Sequence, residues 1–599
     1  MDILKEPISK AIWEMKYRYK LQGKTIDKTI DCMWHRVAKA IAAFEKKEEQ
    51  AHWERAFYNI LENFRFLPGG RILAGAGTLH QVTLFNCFVM NIEEDSLSSI
   101  FNALREGALT LQQGGGVGYD FSVLRPKGSL VKKTGIPASG PVSFMRIWDT
   151  TCKVLLSTGA RRGAMMGVLR GDHPDILEFI LAKKDPHELR HFNVSVMVTD
   201  DLMKAVANDA EWPLVFPTDE ILPEKEIIYR KWSGFFSAVP CRIYGYVKAR
   251  DLWSQIISSA YLYAEPGVLF SDTINRMNNL WYREYISATN PCGEIPLPPY
   301  GACNLGAINL TQFVKAPFTS SAEMDWLGIE ETIQVATRFQ DNVIDVSHYP
   351  LDIQRQESKG TRRIGLGMTG LADLFVMLGI RYGSAESITL AGKITKKIAE
   401  VTWHTSIELA KEKGSFPFFE ARYLQGEFVK TLDPAIQKAL EKHGVRNSHH
   451  NTIAPTGTIS LLVNNVSNGI EPIYQAVYDR HIRGEENQIT TYRVTDYAFS
   501  LWQQEKKEGK PPAFVEVDAL TPEAHLKIQS AMQVYIDHAI SKTINLPQDF
   551  PFEQLTDLYT RAHTLGLKGC TVFRPNPVTG RVMESSTEED SIDRCCERE

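Results

Sequence analysis

Ala288-Thr289-Asn290-Pro291-Cys292-Gly293-Glu294, with Gly301-Ala302-Cys303-Asn304 close behind it, is the densest chemistry in the chain. The cysteine has a carboxylate two residues on and an amide two residues back. That combines a sulfur able to act as nucleophile or radical, a base, and a hydrogen-bonding group. Pro291 and Gly293 disfavour a helix or sheet interior, so the three side chains are expected to project from a tight loop. A lone cysteine on a turn is as a rule buried and inert, so the reading depends on what accompanies it elsewhere.

Outward from this stretch, strands and helices alternate. Val82 to Ile92 reads as a strand containing Cys87, and Phe192, Val194, Val196 and Val198 alternate with polar residues or Met197 at the strand period. Between such runs lie helices: Asp251 to Ala264, Ser387 to Lys413 stopped by Gly414, and Asp433-Pro434 through His443 stopped by Gly444. This alternation points to an α/β barrel or a large mixed sheet. The N-terminal stretch differs, because Ile8, Ile12, Met15 and Tyr19, then Ile26, Ile30, Met33, Val37, Ile41 and Phe44, recur at helical spacing. Residues 1–65 are therefore expected to form a small helical domain, residues 66–580 the α/β unit, and residues 581–599 a flexible acidic tail with Cys595-Cys596. Composition reads that tail equally as a thiol shuttle or as a disordered end with incidental cysteines.

Of 599 residues, 43% are hydrophobic and 23% charged, as in ordinary soluble proteins, and the net charge of -5 gives no global attraction to nucleic acid or an anionic membrane. Met1 to Glu6 carries acidic residues where a signal peptide would not, and no apolar run approaches membrane-spanning length, so a cytoplasmic protein is expected. Nine scattered cysteines are too sparse for a secreted disulfide scaffold, and with no paired CxxC motifs and no HExxH a metal site is not expected.

Three further stretches can hold ligands. Asn451-Thr452-Ile453-Ala454-Pro455-Thr456-Gly457-Thr458-Ile459-Ser460 sets hydroxyls and a glycine before an apolar run, which serves either as a phosphate cradle or as a plain helix cap. Gln112-Gln113-Gly114-Gly115-Gly116-Val117-Gly118 follows a helical stretch, so it reads as close backbone approach to a ligand or as tight packing rather than a dinucleotide fingerprint. The loop Leu156 to Gly167 presents Arg161 and Arg162, suited to grip a phosphate or base, or simply a solvated turn.

Taken together these stretches resemble the catalytic subunit of ribonucleotide reductase, collinearly from roughly residue 8 to residue 575. The matching segments are Phe66-Leu67-Pro68-Gly69-Gly70, Asn86-Cys87-Phe88-Val89, the glycine cluster, the Arg161-Arg162 loop, Asn290 to Glu294, Cys303-Asn304-Leu305 and Pro455-Thr456-Gly457-Thr458. The resemblance implies a ten-stranded α/β barrel with the radical cysteine on a central finger loop. It further implies that Cys292 becomes a thiyl radical and takes the 3′ hydrogen of a ribonucleotide, that Glu294 is the base at the 3′ hydroxyl, and that Asn290 holds the ribose hydroxyls. Cys87 and Cys303 would be the dithiol that supplies two electrons. Asn86, Gly116, Pro455, Thr456, Gly457 and Thr458 would bind substrate. Asp95, with Arg161 and Arg162, would belong to a deoxynucleoside triphosphate effector site at a homodimer interface, and Cys595 and Cys596 would exchange with a thioredoxin-like reductant.

The radical source divides the family. Leu567-Lys568-Gly569-Cys570-Thr571-Val572-Phe573-Arg574 has no tyrosine pair of the kind that receives a radical from a partner subunit, and Val578 to Val582 is a poor match to a glycyl radical loop. The segment instead resembles the adenosylcobalamin-dependent class. Two rivals stand beside this reading: a class I type subunit needing a metal-containing radical-generating partner, and a non-catalytic nucleotide-binding regulator on the same barrel. The regulator would be expected to have lost one of the three cysteines or Glu294, and all four are present.

Overall fold

The computed structural model describes residues 3–131, 134–155, 163–185, 187–483 and 489–575, and the backbone of 583–584. Arg161, Arg162, Cys595 and Cys596 lie outside the described residues. Among the described residues no helix is long and apolar enough to cross a membrane.

One ten-stranded sheet organises the chain: β1 (Phe66–Pro68), β2 (Cys87–Val89), β3 (Gly116–Asp120), β4 (Met165–Arg170), β5 (Phe192–Val198), β6 (Gly267–Phe270), β7 (Ala302–Asn309), β8 (Ile364–Thr369), β9 (Thr543–Asn545) and β10 (Gly569–Phe573). Strands β2 to β6 run parallel in chain order. Strands β7 with β8, and β9 with β10, are also parallel. The two halves meet antiparallel at β2 with β7 and at β6 with β10.

The edges β8 and β9 are joined through residues 449–453. Leu366 bridges Asn451, and Ile453 bridges Ile540, just ahead of β9. The strip is stitched by Leu366 N to His450 O (2.9 Å) and Ser541 N to Ile453 O (2.9 Å). The expected α/β barrel is thereby closed, with helices outside and strands buried on both faces.

The sequence-predicted elements are present with local changes. The helix Ile30–Ala42 is capped by Thr29, whose hydroxyl accepts from Cys32 N, and it buries Met33, Val37 and Ile41. Ile26 and Phe44, at the ends of the same apolar series, lie beyond its termini and are exposed. The strand expected over Val82–Ile92 shrinks to Cys87–Val89, because Leu84 N turns aside to Ser347 Oγ and Phe85 N to Thr83 Oγ1. The helices Ala385–Lys413 and Pro434–His443 end at Gly414 and Gly444, both at positive φ, as their sequence signals require.

Candidate active site

The barrel interior is filled by a hairpin. Ala288-Thr289 pairs antiparallel with Pro296-Leu297, and Ala288, Ile295 and Leu297 pack with Val89, Met166, Val168, Met197, Leu269 and Cys303 in one inner apolar cluster. At its tip Gly293 takes φ +81°, and its N–H donates to Asn290 O (3.1 Å), closing the tight turn that Pro291 and Gly293 predicted.

Two glycines of the cluster, Gly116 and Gly118, make room for this finger. A Cβ on Gly118 would lie 1.9 Å from the Thr289 carbonyl oxygen, and one on Gly116 would lie 3.1 Å from the Pro291 ring and 3.5 Å from Cys87 Sγ. The close backbone approach expected here is thus made, at Gly118, by the chain's own finger.

Three clamps fix the loop. Asn193 Nδ2 donates to Pro291 O (2.7 Å), and Ala539 N and Thr452 Oγ1 both donate to Glu294 O, at 2.9 and 2.8 Å. Sequence reading passed over all three donors. Asn193 was visible as the polar alternate of the β5 pattern, since alternate residues of a barrel strand point to the lumen. Thr452 lies in the motif expected to cradle phosphate or cap a helix, neither of which points to Glu294.

Cys87 and Cys303 occupy directly opposed positions of β2 and β7. Opposed antiparallel residues hold their Cβ atoms roughly 4.5–5.5 Å apart, close enough for a disulfide after a small approach. Asn290 Nδ2 donates to Cys87 Sγ at 3.5 Å, while its Oδ1 accepts from Ile295 N at 3.0 Å. Both sulfurs of the pair are buried, Cys303 completely, whereas Cys292 is partly exposed. Burial raises the Cys303 thiol well above its ordinary range. A thiol held neutral in this way is a hydrogen-atom and electron donor rather than a ready nucleophile.

Asn86 immediately precedes Cys87 at the start of β2. Asn86 accepts Gly116 N through its carbonyl (2.8 Å). Pro455 to Thr458 continue the strip that clamps Glu294. Thr456 sits at φ +56° before the short helix Gly457–Leu462, and its hydroxyl meets Thr369 Oγ1 and Ser460 Oγ and accepts from Gly469 N. Asp95 sits in the loop before the helix Leu97–Gln112, and Arg125 holds its carboxylate.

A family model for the ribonucleotide reductase barrel domain matches residues 85–573, and one for the reductase all-alpha domain matches residues 4–81. The chain belongs to the ribonucleotide reductases. A vitamin B12-dependent ribonucleoside-diphosphate reductase of Mycobacterium tuberculosis (strain CDC 1551 / Oshkosh) is 37% identical over 96% of this chain and 80% of its own length. One from Thermoplasma acidophilum is 36% identical over 91% of this chain and 68% of its own. A ribonucleoside-diphosphate reductase subunit alpha of Chlamydia pneumoniae is 27% identical over 93% of this chain and 58% of its own.

In this reductase the segment beginning at Lys568 has a structural task unseen in the sequence. Lys568 is buried, and its ammonium donates to the carbonyls of Asp537 (2.6 Å) and His538 (2.5 Å), with burial lowering its pKa to about 8. Cys570 on β10 is buried opposite Val268, and Cys152 is buried with its thiol on Gly163 O.

Proposed function

We propose that the chain reduces ribonucleoside diphosphates by a thiyl radical on Cys292, with adenosylcobalamin as the radical source. The observation that carries the reading is the ordering of three sulfurs: Cys292 accessible on the finger, Cys87 and Cys303 buried and in register beside it.

Cobalamin is favoured over a partner subunit because the relatives named vitamin B12-dependent are 36–37% identical, against 27% for the subunit alpha. The finger tip is open at Gly293, where nothing beyond its chain neighbours stands within 4 Å of a built Cβ, next to partly exposed Cys292, so a group can approach there. Cys292 and Gly293 would face the cofactor, which when bound supplies the one-electron oxidising equivalent for the Cys292 thiol.

The chain's own residues do the rest. The Cys292 sulfur takes the 3′ hydrogen, a transfer between bonds of comparable strength, and Glu294 takes up the 3′ hydroxyl proton. Asn290 steadies the ribose hydroxyls, because an amide has a second N–H and a second lone pair beyond those used on Cys87 and Ile295. The 2′ hydroxyl leaves as water, Cys87 and Cys303 give two electrons and two hydrogens and close as a disulfide, and Cys292 returns hydrogen to C3′. The Pro455-Thr456-Gly457-Thr458 turn holds the phosphates, with Asn86 and Gly116 lining the same substrate pocket. Asp95, with Arg161 and Arg162, serves a deoxynucleoside triphosphate effector in a homodimer. Cys595 and Cys596 relay electrons from a thioredoxin-like donor in the cytoplasm.

The test is an assay of the purified chain alone with a ribonucleoside diphosphate, a small dithiol and adenosylcobalamin. Deoxyribonucleotide is the expected product. No product until a metal-containing partner protein is added would overturn the cobalamin assignment.

A further inference from the structure

Next to Cys303 lies a buried group of imidazole and ammonium side chains, His538, His449 and Lys568, that the reaction above leaves unused. His538 Nε2 is 3.9 Å from Cys303 Sγ. The ring is buried, stacks on His449 with centroids 4.8 Å apart, and is fixed through its backbone N–H to Asp537 Oδ1 (3.1 Å) and its carbonyl to Lys568. Glycine at 365 leaves the space that Cys303 occupies, since a Cβ there would stand 2.9 Å from Sγ.

The hydrogen directions follow from the neighbours. The Cys303 thiol donates to Asn304 O at 3.4 Å, which leaves its lone pairs for other partners, and in the Nε2–H tautomer the imidazole meets them as a donor. Burial keeps the ring neutral, lowering its pKa to about 3. His538 therefore presents a fixed N–H to a sulfur that burial makes costly to ionise.

We propose that His538 is a positioning residue for the redox pair: its Nε2–H makes Cys303 the sulfur that leaves when an external dithiol reopens the Cys87–Cys303 disulfide. This rests on the reading of Cys87 and Cys303 as that pair. A thiolate of the dithiol attacks the Sγ of Cys87, the less deeply buried residue of the pair at 5% against 0% exposure. The Cys87–Cys303 bond breaks, and a bond from the dithiol to Cys87 forms. Cys303 departs as a thiolate held by the His538 N–H and takes up a proton. The dithiol's second sulfur then displaces Cys87, which is protonated in turn, so the dithiol loses two electrons and the pair gains them.

The experiment oxidises the full chain with diamide, without cofactor, and follows reduction by dithiothreitol through quenched alkylation and peptide mass. His538→Gln, which keeps an N–H donor, is expected within about threefold of wild type. His538→Met is expected to be slower by about tenfold or more, the scale of a hydrogen bond to a charged group. Wild-type speed in His538→Met overturns the proposal. Independently of whether that variant folds, treating the oxidised wild-type chain with the monothiol 2-mercaptoethanol should place the adduct on Cys87, and an adduct on Cys303 overturns the proposal. Failure of the oxidised wild type to yield a Cys87–Cys303 linked peptide overturns the pair itself, and the role of His538 with it.

Discussion

Cys87 and Cys303 face each other in register across the antiparallel seam between β2 and β7. Sheet register, rather than a loop, sets their meeting, and a one-residue slip would turn one sulfur to the opposite face. Replacing either with serine is expected to end multiple turnover with every reductant, at a cost in stability of about 1–3 kcal/mol because a hydroxyl then replaces a buried sulfur. Sustained product formation by Cys87→Ser or Cys303→Ser under excess dithiol would contradict the pairing.

The finger depends on the absence of a side chain at Gly118. Because a Cβ at this position would lie 1.9 Å from the Thr289 carbonyl oxygen, Gly118→Ala must displace the hairpin that carries Cys292. A displacement of roughly 1 Å at reacting groups commonly costs about a hundredfold in kcat. Overpacking should also lower stability by about 1–3 kcal/mol. Steady-state kinetics and denaturant unfolding read the two effects, and a variant equal to wild type in both would show that the hairpin does not need this clearance.

A buried carboxyl pair gives the fold a pH dependence. Asp373 accepts from Ser467 N and Ala498 N, and Asp496 caps the helix Tyr497–Gln504. Burial raises the carboxyl of Asp373, while burial and then the Asp373 charge raise that of Asp496. The folded state therefore holds a proton that the unfolded state releases above about pH 4. Stability from this pair is complete below that value and declines as pH rises through the folded-state pKa. Asp496→Asn retains the cap and donates to Asp373, so its denaturation midpoint should fall less with rising pH than that of wild type. Parallel pH profiles would remove the shared proton.

Much of the site was legible because its chemistry is local in sequence. The turn from Asn290 to Glu294 carries its own geometry in Pro291 and Gly293, and helix termini such as Asp433 and Gly444 carry theirs. What could not be read was which partner fills each gap. Glycines at 116 and 118 announce a close approach without saying that Pro291 and Thr289 make it. Thr452, Ala539 and His538 reach the centre only because barrel closure brings residues 449–453 and 537–540 beside β8, a relation of topology that no short window contains. The expected strand from Val82 was too long for the same reason, since Ser347, remote in sequence, captures the Leu84 N–H.

Electrons can reach the buried pair by two routes, directly from a small dithiol or through the tail. Cys595→Ala/Cys596→Ala is expected to support full turnover with a small dithiol and to fail with a thioredoxin-type protein donor. Equal rates with both donors, measured as product per minute, would assign the tail no part in electron delivery.

Removal of the 3′ hydrogen by the Cys292 sulfur is tested most directly with substrate carrying deuterium at C3′. The wild-type chain with adenosylcobalamin and dithiol should turn this substrate over more slowly than the unlabelled one, and Cys292→Ser should give no product from either. Identical rates for the two substrates, or product from Cys292→Ser, would contradict the assignment.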